Sequence, residues 1–223
     1  KPMANTTEEC NEIITAAKQG QVKLMIGHIQ RYFAENIRVK ELIESGEYGE
    51  IVSITDVRNI DYFTDERPKW FFSKAMAGGG ILMNYGAHSL DKIMWITGTD
   101  IKSISGKIAQ HLPGYEVEGD AQLYVKLQND IAAQISYCGY KTPYLNETCF
   151  YMTKGVIKLC TGMGVWASYG DEFKQIEINN TKDAFALMWK DFIDSIEFDT
   201  VPEVSGEWGQ KVIKAIESVY IDN

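Results

Sequence analysis

The sequence of 223 residues is short of positive charge: 22 Lys and Arg stand against 31 Asp and Glu, for a net charge of −9. That balance argues against a phosphate-binding surface, because nucleic-acid binders neutralise backbone charge with clustered Lys and Arg. Long apolar runs are missing too. No stretch of about 18 apolar residues exists, so no helix is expected to span a membrane. The four cysteines, Cys10, Cys138, Cys149 and Cys160, form no C-x-x-C pair, which removes zinc-ribbon and thioredoxin readings. They read as reduced thiols in a cytoplasmic protein. The three histidines lie far apart, so no metal site is expected. There are no repeats, low-complexity segments or Pro-rich linkers, and no signal-peptide h-region follows Lys1.

What is present is an ordinary globular composition, 45% hydrophobic and 24% charged, with 12% aromatics, too many for a disordered chain. Thr6-Thr7-Glu8-Glu9 fits a capping box, and Cys10, Ile13, Ile14 and Ala17 follow at helical spacing up to Gly20. Val22 to Gly27 is an apolar run of strand length, so residues 1–27 resemble the tail of an α/β unit. A second helix is expected from Phe33 to Ser45, a long strand from Ile51 to about Tyr62, and a helix from Ile81 to Ile96 closed by Gly98. From Ile101 to Ile178 the period is two, with a hairpin turn at Asn129-Asp130. Two apolar stripes, from Phe185 to Ile196 and from Val212 to Tyr220, predict closing helices. The expected class is α+β: an open, mostly antiparallel sheet of five to seven strands with helices on one face. The other face would suit a second subunit.

Gly78-Gly79-Gly80 leads into Asn84, His88 and Asp91, which share one side of a helix. An imidazole beside an amide and a carboxylate is an acid/base device, because His titrates near neutrality and its neighbours fix its tautomer. A structural His hydrogen-bonded in a helix interface has the same spacing. The glycines would let backbone approach a ligand closely. His28, Arg31 and Tyr32 follow a strand end, where α/β proteins place ligands. Asp61-Tyr62 and Arg67 to Trp70 offer the polar and stacking groups that sugars use, although exposed aromatics more often serve cores and interfaces.

Five segments, in order and spacing, resemble the glucose–fructose oxidoreductase / inositol dehydrogenase / MocA family. They are Lys1-Pro2 with its following helix; Gly27-His28-Ile29-Gln30-Arg31-Tyr32; Glu41 to Ile51; Gly78 to Gly98; and the C-terminal pair of helices. The resemblance implies a Rossmann domain ending near residue 27. Residues 28–223 would then form a substrate-binding and oligomerisation domain of the dihydrodipicolinate-reductase-like kind. No G-x-G-x-x-G occurs here, so the main cofactor motif would precede Lys1. The implied activity is an NAD(P)-dependent oxidoreductase acting on a sugar, polyol or related small hydroxy compound, assembled as a homodimer or homotetramer. The resemblance makes His88 the general base and Lys1 the cation at the alkoxide, with Asn84 beside them where the family often has Asp. It places Lys1 and Pro2 at the NAD or NADP cofactor. His28, Arg31, Tyr32, Trp70 and Asp91 become candidate substrate residues. A non-catalytic relative acting as a binding, regulatory or assembly module is the alternative, motivated by Asn84.

Overall fold

The computed structural model describes residues 1–179 and 182–223. Helix α1 runs Thr7–Gln19, with the capping box formed as expected: Thr6 accepts from the Glu9 amide, and Glu9 accepts from the Thr6 amide in return. The segment after it corrects one expectation. Residues 22–27 form no strand among the described residues, and their only ladder contact is a bridge from Met25 to Ser205. An extended apolar segment becomes a strand only when neighbours take its amides, and here the Ile26 amide finds only Val204 O. A 3₁₀ turn, Ile29–Tyr32, then leads into α2, Ala34–Glu44.

The sheet has eight strands rather than the expected five to seven: β1 Ile51–Asn59, β2 Ile101–Ala109, β3 Asp120–Leu127, β4 Ala132–Cys138, β5 Leu145–Met152, β6 Gly155–Cys160, β7 Gly164–Ser168 and β8 Lys174–Ile176. Their order is β2-β3-β4-β1-β5-β6-β7-β8. All pairs are antiparallel except β1 with β4. That parallel pair arises because β1 enters the sheet's middle, and the chain returns beside it after a helix and a hairpin. The turn at Asn129-Asp130 is where the sequence placed it, with Asp130 at φ 64°.

A short helical turn α3, Lys74–Ala77, precedes the helix that carries the site. That helix is not uniform: Leu82–Gly86 is a π turn, continued by α4, Ala87–Thr97. Gly98 closes it in the left-handed conformation, φ 64°. Its start is set by Glu118, whose carboxylate accepts from the Gly80 and Leu82 amides at 2.8 and 2.9 Å. Gly80 is required because a Cβ there would stand 2.2 Å from the Glu118 carbonyl oxygen. A Cβ on Gly79 would strike the Tyr220 hydroxyl. Gly79 and Gly80 therefore allow close packing against the chain's own atoms, and Gly79 also lines a cavity together with Lys1 and Asn84.

Helices α5, Ala184–Glu197, and α6, Gly206–Ile221, complete the helical layer. A buried ion pair ties that layer to the sheet. Lys92 Nζ on α4 lies 2.8 Å from Asp56 Oδ2 on β1, and both side chains are at most 2% exposed. Thr148 and Ser89 donate to the two oxygens of the same carboxylate. Period two puts Ile54, Asp56 and Arg58 on one side of β1. The opposite face of the sheet carries Thr55, Val57, Gln122, Tyr124 and Gln134 around a shallow depression, with Tyr124 and Tyr151 exposed. The four thiols are free. Burial, reinforced by Glu147, pushes the Cys149 thiol up to about 11, so it stays protonated near neutrality.

Candidate active site

The first residues of the chain, the π turn and the 3₁₀ turn converge on one region. Lys1 Nζ donates to the Asn84 carbonyl oxygen and, at 2.9 Å, to Asn84 Oδ1. The π turn therefore holds Lys1 with two neutral acceptors, and among the described residues no carboxylate pairs with it. Burial, with the nearby Arg58 cation second, brings the Lys1 ammonium down to about 7. Lys1, Pro2, Tyr62, Trp70, Met83 and Asn84 line a cavity of about 380 Å³. Trp70 is 45% exposed and stacks on Phe71 with centroids 4.0 Å apart, so it offers a flat apolar wall.

His88 lies one helical turn beyond Asn84, and its ring meets that of His28 edge-on at 6.5 Å. Its Nδ1 is sealed from solvent without a hydrogen-bond partner. Nε2 is the nitrogen left open. Burial first, then the neighbouring Lys1, His28, Arg58 and Lys92, lower its basicity far below the usual imidazole range. His88 is thus neutral, with a lone pair available.

Asp91 is fully buried and is the hub behind this wall. Its Oδ1 accepts from Arg31 Nε at 2.9 Å, Arg31 Nη2 at 2.6 Å and Trp208 Nε1 at 2.9 Å. Its Oδ2 faces His28 Nδ1 at 3.5 Å. Arg31 also reaches Glu203, which accepts from Trp95 Nε1. Tyr32 donates to Asp191 on α5 at 2.8 Å. Of the sequence candidates, the structure brings Lys1, Pro2, Asn84 and Trp70 to the cavity wall, with His88 and His28 beside them. Arg31 and Asp91 are occupied with each other, and Tyr32 is turned to Asp191.

His28 is 1% exposed. Burial holds its imidazole down at about 4 from 6.5, although Asp91 pulls the other way. Between these values the unfolded chain binds a proton that the folded protein refuses. Stability should therefore fall as pH drops from about 6.5 to about 4, by up to about 3 kcal/mol. Urea titrations at several pH values check this. His28→Gln should reduce the slope there, leaving the share that the likewise suppressed His88 contributes, and an unchanged slope would contradict the assignment.

Arg58 was not singled out from the sequence. Its guanidinium lies over the Tyr85 ring, 3.8 Å from the centroid, and it depresses both Lys1 and His88. The signal was available: Asp56 and Arg58 are charges at the core-facing positions of a strand, and inward charges need partners.

The family model described as GFO/IDH/MocA C-terminal domain matches residues 36–158. The 1-carboxy-3-chloro-3,4-dihydroxycyclohexa-1,5-diene dehydrogenase of Comamonas testosteroni is 29% identical over 140 residues, 63% of this chain and 35% of that protein. The 2,7-anhydro-N-acetylneuraminate hydratase of Escherichia coli (strain K12) is 31% identical over 131 residues, 57% of this chain and 34% of that protein. The chain thus matches about a third of the length of each. The aldose-aldose oxidoreductase of Caulobacter crescentus, solved with glycerol, superposes with a TM-score of 0.90 at 26% identity, covering 99% of this chain and 68% of that one. Family model, relatives and superposed structure agree with the motif order read from the residues, and the chain belongs to the GFO/IDH/MocA family.

Proposed function

We propose that the chain is the substrate and assembly domain of an oxidoreductase that moves hydride between a nicotinamide, NAD or NADP, and a sugar, polyol or related hydroxy compound. One observation carries this: a neutral His88 with an open Nε2 stands one helical turn beyond Asn84, which holds Lys1 on the wall of a cavity faced by Trp70. The nicotinamide, when bound, supplies the hydride acceptor or donor. The chain's own residues handle the proton and the charge. The negative charge developing on the substrate oxygen offsets the burial and cations that disfavour the His88 imidazolium, so Nε2 takes the hydroxyl proton, and Lys1, where protonated, stabilises the alkoxide that develops. Asn84 holds Lys1 in place but carries no charge of its own. Trp70 gives a sugar ring a surface to stack on.

The uncovered face of the sheet is the surface through which a second copy would join, as a homodimer or homotetramer. Tyr124 and Tyr151 there are exposed side chains on a broad flat surface. The neutral Asn84 also keeps alive a non-catalytic reading, in which the same cavity only binds.

Incubating the full-length protein with NAD or NADP and a panel of sugars, polyols and sugar acids tests the proposal. Acids belong in the panel because two relatives named above act, by their names, on carboxylic acids. Turnover of one member, seen as nicotinamide absorbance, is the expected result. Binding across the panel without turnover would favour the non-catalytic reading.

A further inference from the structure

The proposed site holds more positive charge than its own residues balance. Arg58, Arg67 and Lys1 flank the rings of Tyr62 and Tyr85, whose centroids are 6.0 Å apart. Arg58 lies over Tyr85, and Arg67 lies over Tyr62 at 4.2 Å. Arg67 donates to the Tyr62 carbonyl oxygen and contacts the Tyr85 hydroxyl, both neutral. Lys1 has only the neutral oxygens of Asn84. Arg58 has neither an ion pair nor a side-chain hydrogen bond among the described residues, and its Nε is sealed from solvent with no partner.

The carboxylates in reach are already committed, including Glu9 on the cavity wall, which accepts from the Asn5 and Thr6 amides. Asp56 holds Lys92, Asp91 holds Arg31, and Glu118 caps Gly80 and Leu82 while accepting from Tyr220. Asp61, Asp65 and Glu66, close in sequence, pair with none of the three cations. A chain with a net charge of −9 thus keeps three cations without carboxylate partners around the Tyr62–Tyr85 ring pair, beside the cavity that Lys1 and Tyr62 line. An unpaired, partly desolvated guanidinium is costly unless an anion completes it.

We infer that this cluster is an anion subsite and that the substrate bears a carboxylate, received by Arg58. The planar fork of a guanidinium matches a carboxylate in two parallel hydrogen bonds, which an ammonium cannot imitate. Tyr85 fixes the plane of that fork by stacking beneath it. Lys1 then remains free for the hydroxyl end of the same molecule. This deepens the proposed function and rests on its placement of the substrate, but not on any turnover.

Calorimetric titration of the protein with D-glucuronate, D-glucose and D-glucose 6-phosphate tests the inference. Glucuronate should bind at least about tenfold more tightly than glucose, the worth of one charge-assisted contact. Arg58→Gln should abolish that preference, with circular dichroism and urea midpoint close to those of the parent showing that the variant is folded. Arg58→Lys should retain part of it. Equal affinity for acid and neutral sugar, no detectable binding of the acid, or a preference that survives Arg58→Gln would each overturn the inference. A stronger preference for the phosphate would overturn the carboxylate assignment. None of these readouts involves hydride transfer, so a failed turnover screen and a failed anion subsite remain distinguishable.

Discussion

Replacing His88 with alanine is expected to lower turnover by about 10²- to 10⁴-fold, the usual worth of a positioned proton acceptor. The residue is held neutral by burial and by surrounding cations, and only its Nε2 is open. Removing the imidazole leaves Lys1 and Asn84 where they are, since their contact does not involve His88. Cofactor affinity should therefore change little, and the loss should fall on kcat. Steady-state kinetics of the full-length protein, with a direct measure of cofactor binding, separate the two. Unimpaired kcat would remove His88 from the mechanism. A matching loss of cofactor affinity would mean that the ring supports the site's shape instead.

Asp91→Asn is expected to cost about 3–5 kcal/mol of folding stability, as uncoupling a buried ion pair does. The carboxylate joins the 3₁₀ turn through Arg31, α6 through Trp208, and His28 across 3.5 Å. Arg31 is only 3% exposed, so an amide at position 91 strands a buried cation. Glu203 cannot take over, because half of its side chain is in solvent. Against a typical domain stability of about 5–15 kcal/mol this is a large fraction. Arg31→Met combined with Asp91→Leu should cost less than the sum of the two single changes, because neither charge is then left alone. Urea unfolding of the single and double variants measures both quantities. A loss below about 1 kcal/mol for Asp91→Asn would show that water reaches the pair.

Much of the architecture was legible in the residues. The capping box at Thr6, the stop at Gly98, the hairpin at Asp130 and the two closing helices come from local chemistry that needs no partner. Segment 22–27 was not legible, because a strand depends on neighbours as much as on its own apolar residues. The eighth strand and the parallel β1–β4 pair were also hidden, since strand order is a property of the whole sheet. The π turn escaped periodicity for a related reason: helical spacing assumes 3.6 residues per turn throughout.

The candidate site divides along the same line. Asn84 and His88 stand out as residue types at a suggestive spacing, Lys1 only through the family resemblance, and their chemistry belongs to the side chains wherever they sit. Their protonation does not. Burial and neighbouring charge make His88 neutral and set Lys1 near 7, and both depend on which atoms surround them. The same holds for Arg31 and Asp91, which read alike as pocket residues until the fold pairs them, and for Arg58, which reads as an ordinary strand arginine until the fold leaves it without a counter-charge. Local propensity, caps and motif order are written along the chain because they involve residues a few positions apart. Charge balance is settled only when residues far apart in the chain exclude water from one another.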